Sequence, residues 1–274
     1  MFADIFEARR RTFIFPVPIF IHLVFSLTKN DVYFIIRDNR VALTDGVFHM
    51  QSLRVGTYNI CHAHYANGDL NKIGGVIREA ALDICGIQEI EYKSTRVGGV
   101  NQPKLLSEAC GLPYYRFVRA IDYADGYYGT MILSRFPIVG FSMEELESGT
   151  SEKRAIGHAV LDLGMNKLDF FCTHLSVESP ELRAPQFSRL SELLAPCRSY
   201  ILTGDFNSDL FDEFSVLRAA DMANKAERRI VTFPEAQCAI DNIIISQNMK
   251  FGEIGTVTDS YTDHYMLWAD VTVE

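Results

Sequence analysis

The sequence predicts an α+β domain of many short strands interrupted at irregular intervals by a few helices. Short apolar runs of strand length, bounded by turn residues, recur from Leu53 to Val273. Helical spacing is confined to a handful of segments, too irregularly placed for a regular βαβ array, and no internal repeat is present. The chain has 274 residues, 48% of them hydrophobic, which suffices for one large domain with a real core. With 22% charged residues, the composition is not that of a disordered chain.

The first 49 residues differ from the rest. Arg9-Arg10-Arg11 precedes an apolar run of 15 residues, Phe13 to Leu27, broken by Pro16 and Pro18. A bilayer-spanning helix takes about 20 residues. No small-residue cleavage site follows. Three readings stand: an extension upstream of a start at Met50, a membrane anchor or export signal, or an integral part of the fold. The expected division is 1–49 outside the main fold and 50–274 as the main domain. A cytoplasmic location is expected unless the 13–27 run is a signal or anchor.

From there the elements follow in order. Leu53–Asn59 reads as a strand. Leu70, Ile73, Val76, Ile77 and Ala80 have helical spacing, which predicts a helix over about 69–82. Asp83–Glu89 is a strand, and Lys104–Cys110 a short helix stopped by Gly111 and Pro113. Tyr114–Ala120, Gly129–Arg135, Ile138–Leu146, Ile156–Leu163 and Lys167–His174 are predicted strands, the last two joined by a tight turn at Gly164-Met165-Asn166-Lys167. Arg183–Leu194 and Asp212–Ala220 read as helices. Tyr200-Ile201-Leu202 is a buried strand ending at Gly204. Ile240–Ser246 and Tyr265–Val273 complete the strands.

Composition narrows the partners. The net charge is −9, and residues 50–274 hold 20 of the 26 Lys/Arg and 30 of the 35 Asp/Glu. Such a domain lacks the basic footprint of a high-affinity DNA binder. It suits a protein that recruits a cation. None of the six cysteines forms a C-x-x-C pair, so they read as reduced thiols, with Cys85 and Cys172 in apolar runs.

Polar residues collect at strand ends. Asn59, Glu89 and His174 each close a strand. Asp205 and Asn207 follow Tyr200–Thr203 at i and i+2, which points both side chains the same way in an extended tip. Asp241 opens one strand, and Asp263-His264 precede another. Each alone has an ordinary explanation: a turn residue, a surface pair of Glu89 with Lys93, a core histidine, an Asx turn. Together, and in this order, the set resembles the endonuclease/exonuclease/phosphatase superfamily, also called deoxyribonuclease-I-like. The matching motifs are Thr57-Tyr58-Asn59, Gln88-Glu89, Gly129 through Pro137, Thr173-His174-Leu175, Gly204-Asp205-Phe206-Asn207, Ile240-Asp241-Asn242-Ile243 and Thr262-Asp263-His264. They span about residues 53–272. The resemblance implies a four-layer α/β sandwich, two packed mixed sheets flanked by helices.

Phosphoester hydrolysis needs charge neutralisation at the phosphoryl oxygens, an activated water and a protonated leaving group. Glu89 is the best metal-ligand candidate, because a hard carboxylate suits Mg²⁺ or Mn²⁺. Asn59 can add a neutral oxygen or hold phosphate, and Asp263 a further carboxylate. Asp205 would orient or deprotonate water, with Asn207 fixing phosphate or water. His174 would donate to a non-bridging oxygen. His264 with Asp241 forms a His–carboxylate pair. The division of labour between Asp205 and His264 stays open. Thr262 stands where the family commonly has Ser, and Tyr265-Met266 follow where a small or proline-containing turn is frequent.

Only 33 residues separate Asn207 from Asp241 and 21 separate Asp241 from Asp263, so large substrate-wrapping insertions have little room. Arg96, on a Gly-flanked loop after Glu89, is expected to reach phosphate as a bidentate fork. Arg228-Arg229 reads as solvated surface. Tyr127, like Tyr123 and Tyr128, either stacks on a base or pads a sheet edge. The expected activity is a metal-dependent phosphodiesterase or nuclease acting as a monomer, with no obligate protein partner. A lipid or inositol phosphoesterase and a non-catalytic scaffold are the alternatives, and the intact polar set argues against a scaffold.

Overall fold

The computed structural model describes residues 32–37, 40–45, 51–164, 166–217, 221–258 and 261–273. The chain divides into two units, Met1–Met50 and Gln51–Glu274. In the first, β1 (Val32–Arg37) and β2 (Arg40–Asp45) form an antiparallel hairpin. The apolar run 13–27 lies outside the described residues. Among the described residues no helix is long and apolar enough to cross a membrane.

In the second unit, β3 (Gln51–Asn59), α1 (Leu70–Glu79), β4 (Ile84–Tyr92), α2 (Gln102–Cys110), β5 (Tyr114–Tyr123) and β6 (Gly126–Ser134) come first. Then follow β7 (Ile138–Leu146), β8 (Arg154–Asp162), β9 (Lys167–His174), α3 (Pro180–Leu194) and β10 (Tyr200–Asp205). The short β11 (Asp221–Met222), β12 (Asp241–Ile245), β13 (Met249–Val257) and β14 (Met266–Val273) complete it. One six-stranded sheet has the order β13-β14-β3-β4-β6-β5 and the other β11-β12-β10-β9-β8-β7. Both are mixed. The parallel pairs β3/β4 and β9/β10 lie at their centres, each linked through a helix, α1 or α3.

Three apolar clusters fill the three spaces between four layers. Ile73, Ile77 and Leu106 of α1 and α2 pack with Ile87, Met131 and Leu133 on the outside of the first sheet. Val55, Ile84 and Ile132 of that sheet meet Phe170, Cys172, Ile201 and Ile243 of the second. Phe187 and Leu190 of α3 cover Phe171, Leu202 and Ile244 on its far side. The alternation of Phe170, Phe171 and Cys172 between clusters is the period-two signature of a strand buried on both faces. Gly86 of β4 marks a close approach of the sheets: a Cβ there would collide with Thr203 Oγ1 and lie 3.0 Å from Cys172 Sγ.

Local signals place the helix ends. Asp69 accepts the Asn71 N–H at 3.0 Å and caps α1. Ser179 caps α3 with Pro180 in the first turn, which starts that helix earlier than its apolar spacing suggests. β8 and β9 are joined directly as an antiparallel pair, as expected, with Asp162 opposite Lys167 and the Leu163 N–H bonded to Asn166 O. Several elements depart from expectation, three of them near the site or at a sheet edge. The segment read as a helix over 212–220 is a 3-10 turn at Phe211–Val216, with 218–220 outside the described residues. β13, an edge strand carrying two glycines and a register shift between Phe251 and Ile254, has no sequence signal strong enough to mark it. β4 does not end at Glu89 but continues to Tyr92.

Candidate active site

Strand register assembles the site. In the second sheet, Asp205 at the end of β10 pairs with His174 of β9 on one side and Asp241 of β12 on the other. The three therefore form one row. They share the parity of Ile201, Phe170 and Ile243, so the row faces the first sheet. All three side chains are buried.

The first sheet supplies Asn59 and Glu89. Asn59 shares the inward parity of Val55. By strict alternation Glu89 would point with Ile87 toward the helix layer. A bulge between Ile87 and Ile90 intervenes, and Glu89 takes a left-handed backbone, φ 58°. The extra residue re-aims the carboxylate, a recurrent use of bulges beside functional sites. Asn59 Nδ2 then donates to Glu89 Oε1 and to Asp205 Oδ2, each at 3.0 Å, and ties the two sheets together. Asn59 Oδ1 accepts the Cys61 N–H at 3.0 Å. The Thr262 hydroxyl donates to the Asn59 carbonyl at 2.8 Å, so the Ser-like hydroxyl function is retained.

Asp205 Oδ2 lies between two imidazoles, 3.5 Å from His174 Nε2 and 3.7 Å from His264 Nε2. The two rings differ in charge. His264 Nδ1 is 2.9 Å from Asp241 Oδ2. Burial opposes protonation of His264, but the Asp241 carboxylate, its hydrogen bond, Asp205 and Asp263 outweigh it and raise the pKa to about 10. Burial, together with Arg154 and His264, lowers His174 to about 3 against the pull of Asp205. These surroundings favour the charged form of His264 and the neutral form of His174 at neutral pH.

Asn207 sits just past the strand with a left-handed backbone, φ 50°, closing an Asx turn in which its N–H donates to Asp205 Oδ1 at 2.9 Å. Its Nδ2 donates to Leu175 O and approaches His174 Nε2, both at 3.0 Å. The carbonyl fixes the amide orientation, so His174 Nε2 accepts. The donation expected from His174 to a non-bridging oxygen would therefore have to come from its other ring nitrogen or from a protonated ring.

Two expected substrate contacts, Arg96 to phosphate and Tyr127 to a base, have other partners. Arg96 is in a 3-10 turn, Thr95–Val97, and its Nε donates to Glu91 Oε1 at 2.5 Å, while its guanidinium stacks 4.3 Å from the Tyr123 ring. Glu91 is fully buried, so Arg96 is held by a charge that needs it. The turn is pinned through Thr95 N–H to Ala124 O at 2.6 Å. Tyr127 shares the parity of Met131 and Leu133, packs against Tyr92 and lies under Arg119 on the helix-layer side. Its neighbour Tyr128 faces inward and lines a cavity with Gly129, Thr130, Arg154 and His174. Period-two alternation from Met131 was the signal that would have selected Tyr128. Arg154, 5% exposed with its Nε lacking a partner, carried no such signal.

The donors fit a hard divalent cation. Burial raises the Glu89 pKa, Asn59 offsets this in part, and Asp205 and Asp263 raise it further. Clustered carboxylates destabilise one another's charge, and a cation relieves that. Glu89 and Asp263 are carboxylates that could supply oxygens to such an ion, and Asn59 Nδ2 bridges the Glu89 and Asp205 carboxylates. Asp205, Asp241 and His264 also offer ligand atoms within 4.8 Å of one another. All six cysteines are free, and burial with Asp263 and Glu89 pushes the Cys61 thiol up to about 12.

Comparison with known proteins agrees with this fold. A search of curated protein sequences gives no match. Among solved structures, an endonuclease/exonuclease/phosphatase from Beutenbergia cavernae is 21% identical, with a TM-score of 0.68 over 81% of this chain and 72% of that one. A mannosyl-6-phosphatase from Bacteroides thetaiotaomicron is 17% identical, with a TM-score of 0.59 over 80% and 99%. TDP2 from D. rerio, in complex with a single-strand DNA product, is 17% identical, with a TM-score of 0.62 over 81% and 99%. The family model for the Endonuclease/Exonuclease/phosphatase family matches residues 56–264, from the strand bearing Asn59 to His264 itself, and the chain belongs to that family of phosphoester hydrolases.

Proposed function

We propose that the protein is a divalent-cation-dependent phosphodiesterase, with single-stranded nucleic acid as its first candidate substrate. The observation that carries the reading is the position of Asp205 Oδ2 between a neutral and a cationic imidazole, 3.5 and 3.7 Å away. In this reading Asp205 accepts a proton from water as the water oxygen bonds to phosphorus and the bond from phosphorus to the leaving oxygen breaks, the departing oxygen taking a proton from solvent. His264, held cationic by Asp241, donates a hydrogen bond from Nε2 to the phosphoryl oxygen on which charge accumulates. Asn207 and His174 hold the Asp205 turn in place. Tyr128 and Arg154 line the adjoining wall, where a substrate oxygen would find the guanidinium's unpartnered Nε–H. Glu89 and Asp263 would hold Mg²⁺ or Mn²⁺, which when bound supplies neutralisation of phosphoryl charge.

The nucleic-acid preference draws support from the TDP2 likeness, and the mannosyl-6-phosphatase likeness makes a sugar phosphate the comparison substrate. The test is hydrolysis of a bis-aryl phosphodiester, single-stranded DNA, RNA and a sugar phosphate with Mg²⁺, Mn²⁺ or chelator. Cation-dependent turnover of diesters is expected. Turnover that survives chelation, or of the monoester alone, would overturn the reading.

A further inference from the structure

Beside Glu89 lies a donor set that the proposed reaction does not use. Asn59 is followed by a tight turn, Cys61–Ala63, in which three consecutive non-glycine residues take left-handed backbones, φ 41°, 44° and 65°. An L-residue adopts that conformation at a cost, and a run of three persists only where its surroundings hold it. Here Cys61 N–H is bound by Asn59 Oδ1, the His62 carbonyl by Gln102 Nε2 at 2.9 Å, and the turn closes through Ala63 N–H to Ile60 O at 2.8 Å. The strained turn delivers Cys61 Sγ and a His62 ring nitrogen to within 4.8 Å of each other and of a Glu89 oxygen. His62 Nδ1 is buried without a hydrogen-bond partner. All three residues are partly exposed, so an ion can enter.

We propose that Cys61, His62 and Glu89 form a second cation site, for a borderline transition metal such as Zn²⁺, that competes with the catalytic cation for Glu89. The competition clause rests on the reading of Glu89 as a ligand of that catalytic cation. Sulfur, imidazole and carboxylate together are a zinc-type set, whereas Mg²⁺ takes oxygen. Three protein ligands leave a fourth position for water. Binding releases the Cys61 thiol proton to solvent as the sulfur–metal bond forms, and no electrons are exchanged. With Glu89 drawn to the transition metal, Mg²⁺ loses its principal anchor, so the site would make the enzyme zinc-inhibited. A second Cys/His/carboxylate group, His158, Asp169 and Cys197, serves as a control. There His158 Nε2 is already 2.7 Å from Asp169 Oδ1 and its ring is stacked on Phe171.

The test uses the full chain, reduced and stripped of metal, titrated with Co²⁺. Wild type is expected to develop one sulfur-to-cobalt charge-transfer band, removed by Zn²⁺ and weakened by excess Mg²⁺. Cys61→Ala should lose the band, His62→Ala should bind Co²⁺ at least ~10-fold more weakly, and Cys197→Ala should keep it. Circular dichroism checks that each variant is folded. No band in wild type, or a band that survives Cys61→Ala, overturns the site, and indifference to Mg²⁺ overturns the competition. The spectrum needs no turnover, so loss of the proposed phosphodiesterase activity would leave this result decisive.

Discussion

Asp241→Asn separates the charge of the His264 partner from its shape. The substitution keeps an oxygen for His264 Nδ1–H, now 2.9 Å from Asp241 Oδ2, and removes the carboxylate that contributes most to raising His264. The ordinary histidine value is 6.5 and the folded value about 10. At ~1.4 kcal/mol per unit, the acidic environment favours the imidazolium by on the order of 5 kcal/mol net of burial. Without the carboxylate, burial dominates and His264 should be neutral at pH 7. The phosphoryl oxygen then loses a cationic donor, and kcat should fall by about 10²–10⁴-fold. The assay pairs bis-aryl phosphodiester kinetics with an NMR titration of the histidines, using circular dichroism as the folding control. An imidazolium at pH 7 in the variant, with an unchanged rate, would refute the electrostatic role given to Asp241.

Other expectations follow from the same packing. Arg96→Ala strands the buried Glu91 carboxylate, so stability should drop by about 3–5 kcal/mol in urea unfolding while KM changes little; a large KM increase with unchanged stability would restore Arg96 to phosphate binding. Gly86→Ala drives a methyl into Thr203 and Cys172 between the sheets and should cost about 1–3 kcal/mol by the same measurement, and an unchanged midpoint would contradict the close approach. His174 has a lowered folded pKa, about 3, so folding excludes a proton that the unfolded chain binds below 6.5. Its contribution is complete above about 6.5 and is lost as pH falls toward 3, and His174→Gln should flatten that part of the stability–pH profile; an unchanged profile would contradict a buried neutral ring.

What the sequence made legible was the residues whose position depends on strand parity and register alone. His174, Asp205 and Asp241 end or open clean apolar strands, and pairing those strands puts them in one row. Asn59 follows the same logic in the other sheet. Glu89 was recognisable as a residue but not as a geometry, since only the bulge and its left-handed backbone turn it inward. The partners of Arg96 and Tyr127 were not legible, because Glu91 takes the first through a tertiary ion pair, and of the two readings left open for Tyr127 the parity of β6 selects padding of the sheet. The Cys61–Ala63 turn offered no cue, since three left-handed non-glycine residues contradict local preference and are held by tertiary hydrogen bonds.

The central claim is that the strand-end row around Asp205 carries out phosphodiester hydrolysis. Asp205→Asn tests it most directly, because the amide keeps the side chain's size and removes its capacity to take a proton from water. With saturating Mg²⁺ and a bis-aryl phosphodiester, kcat should fall by at least ~10²-fold while the thermal unfolding transition stays cooperative. Turnover near the wild-type rate in a folded Asp205→Asn protein would contradict the claim.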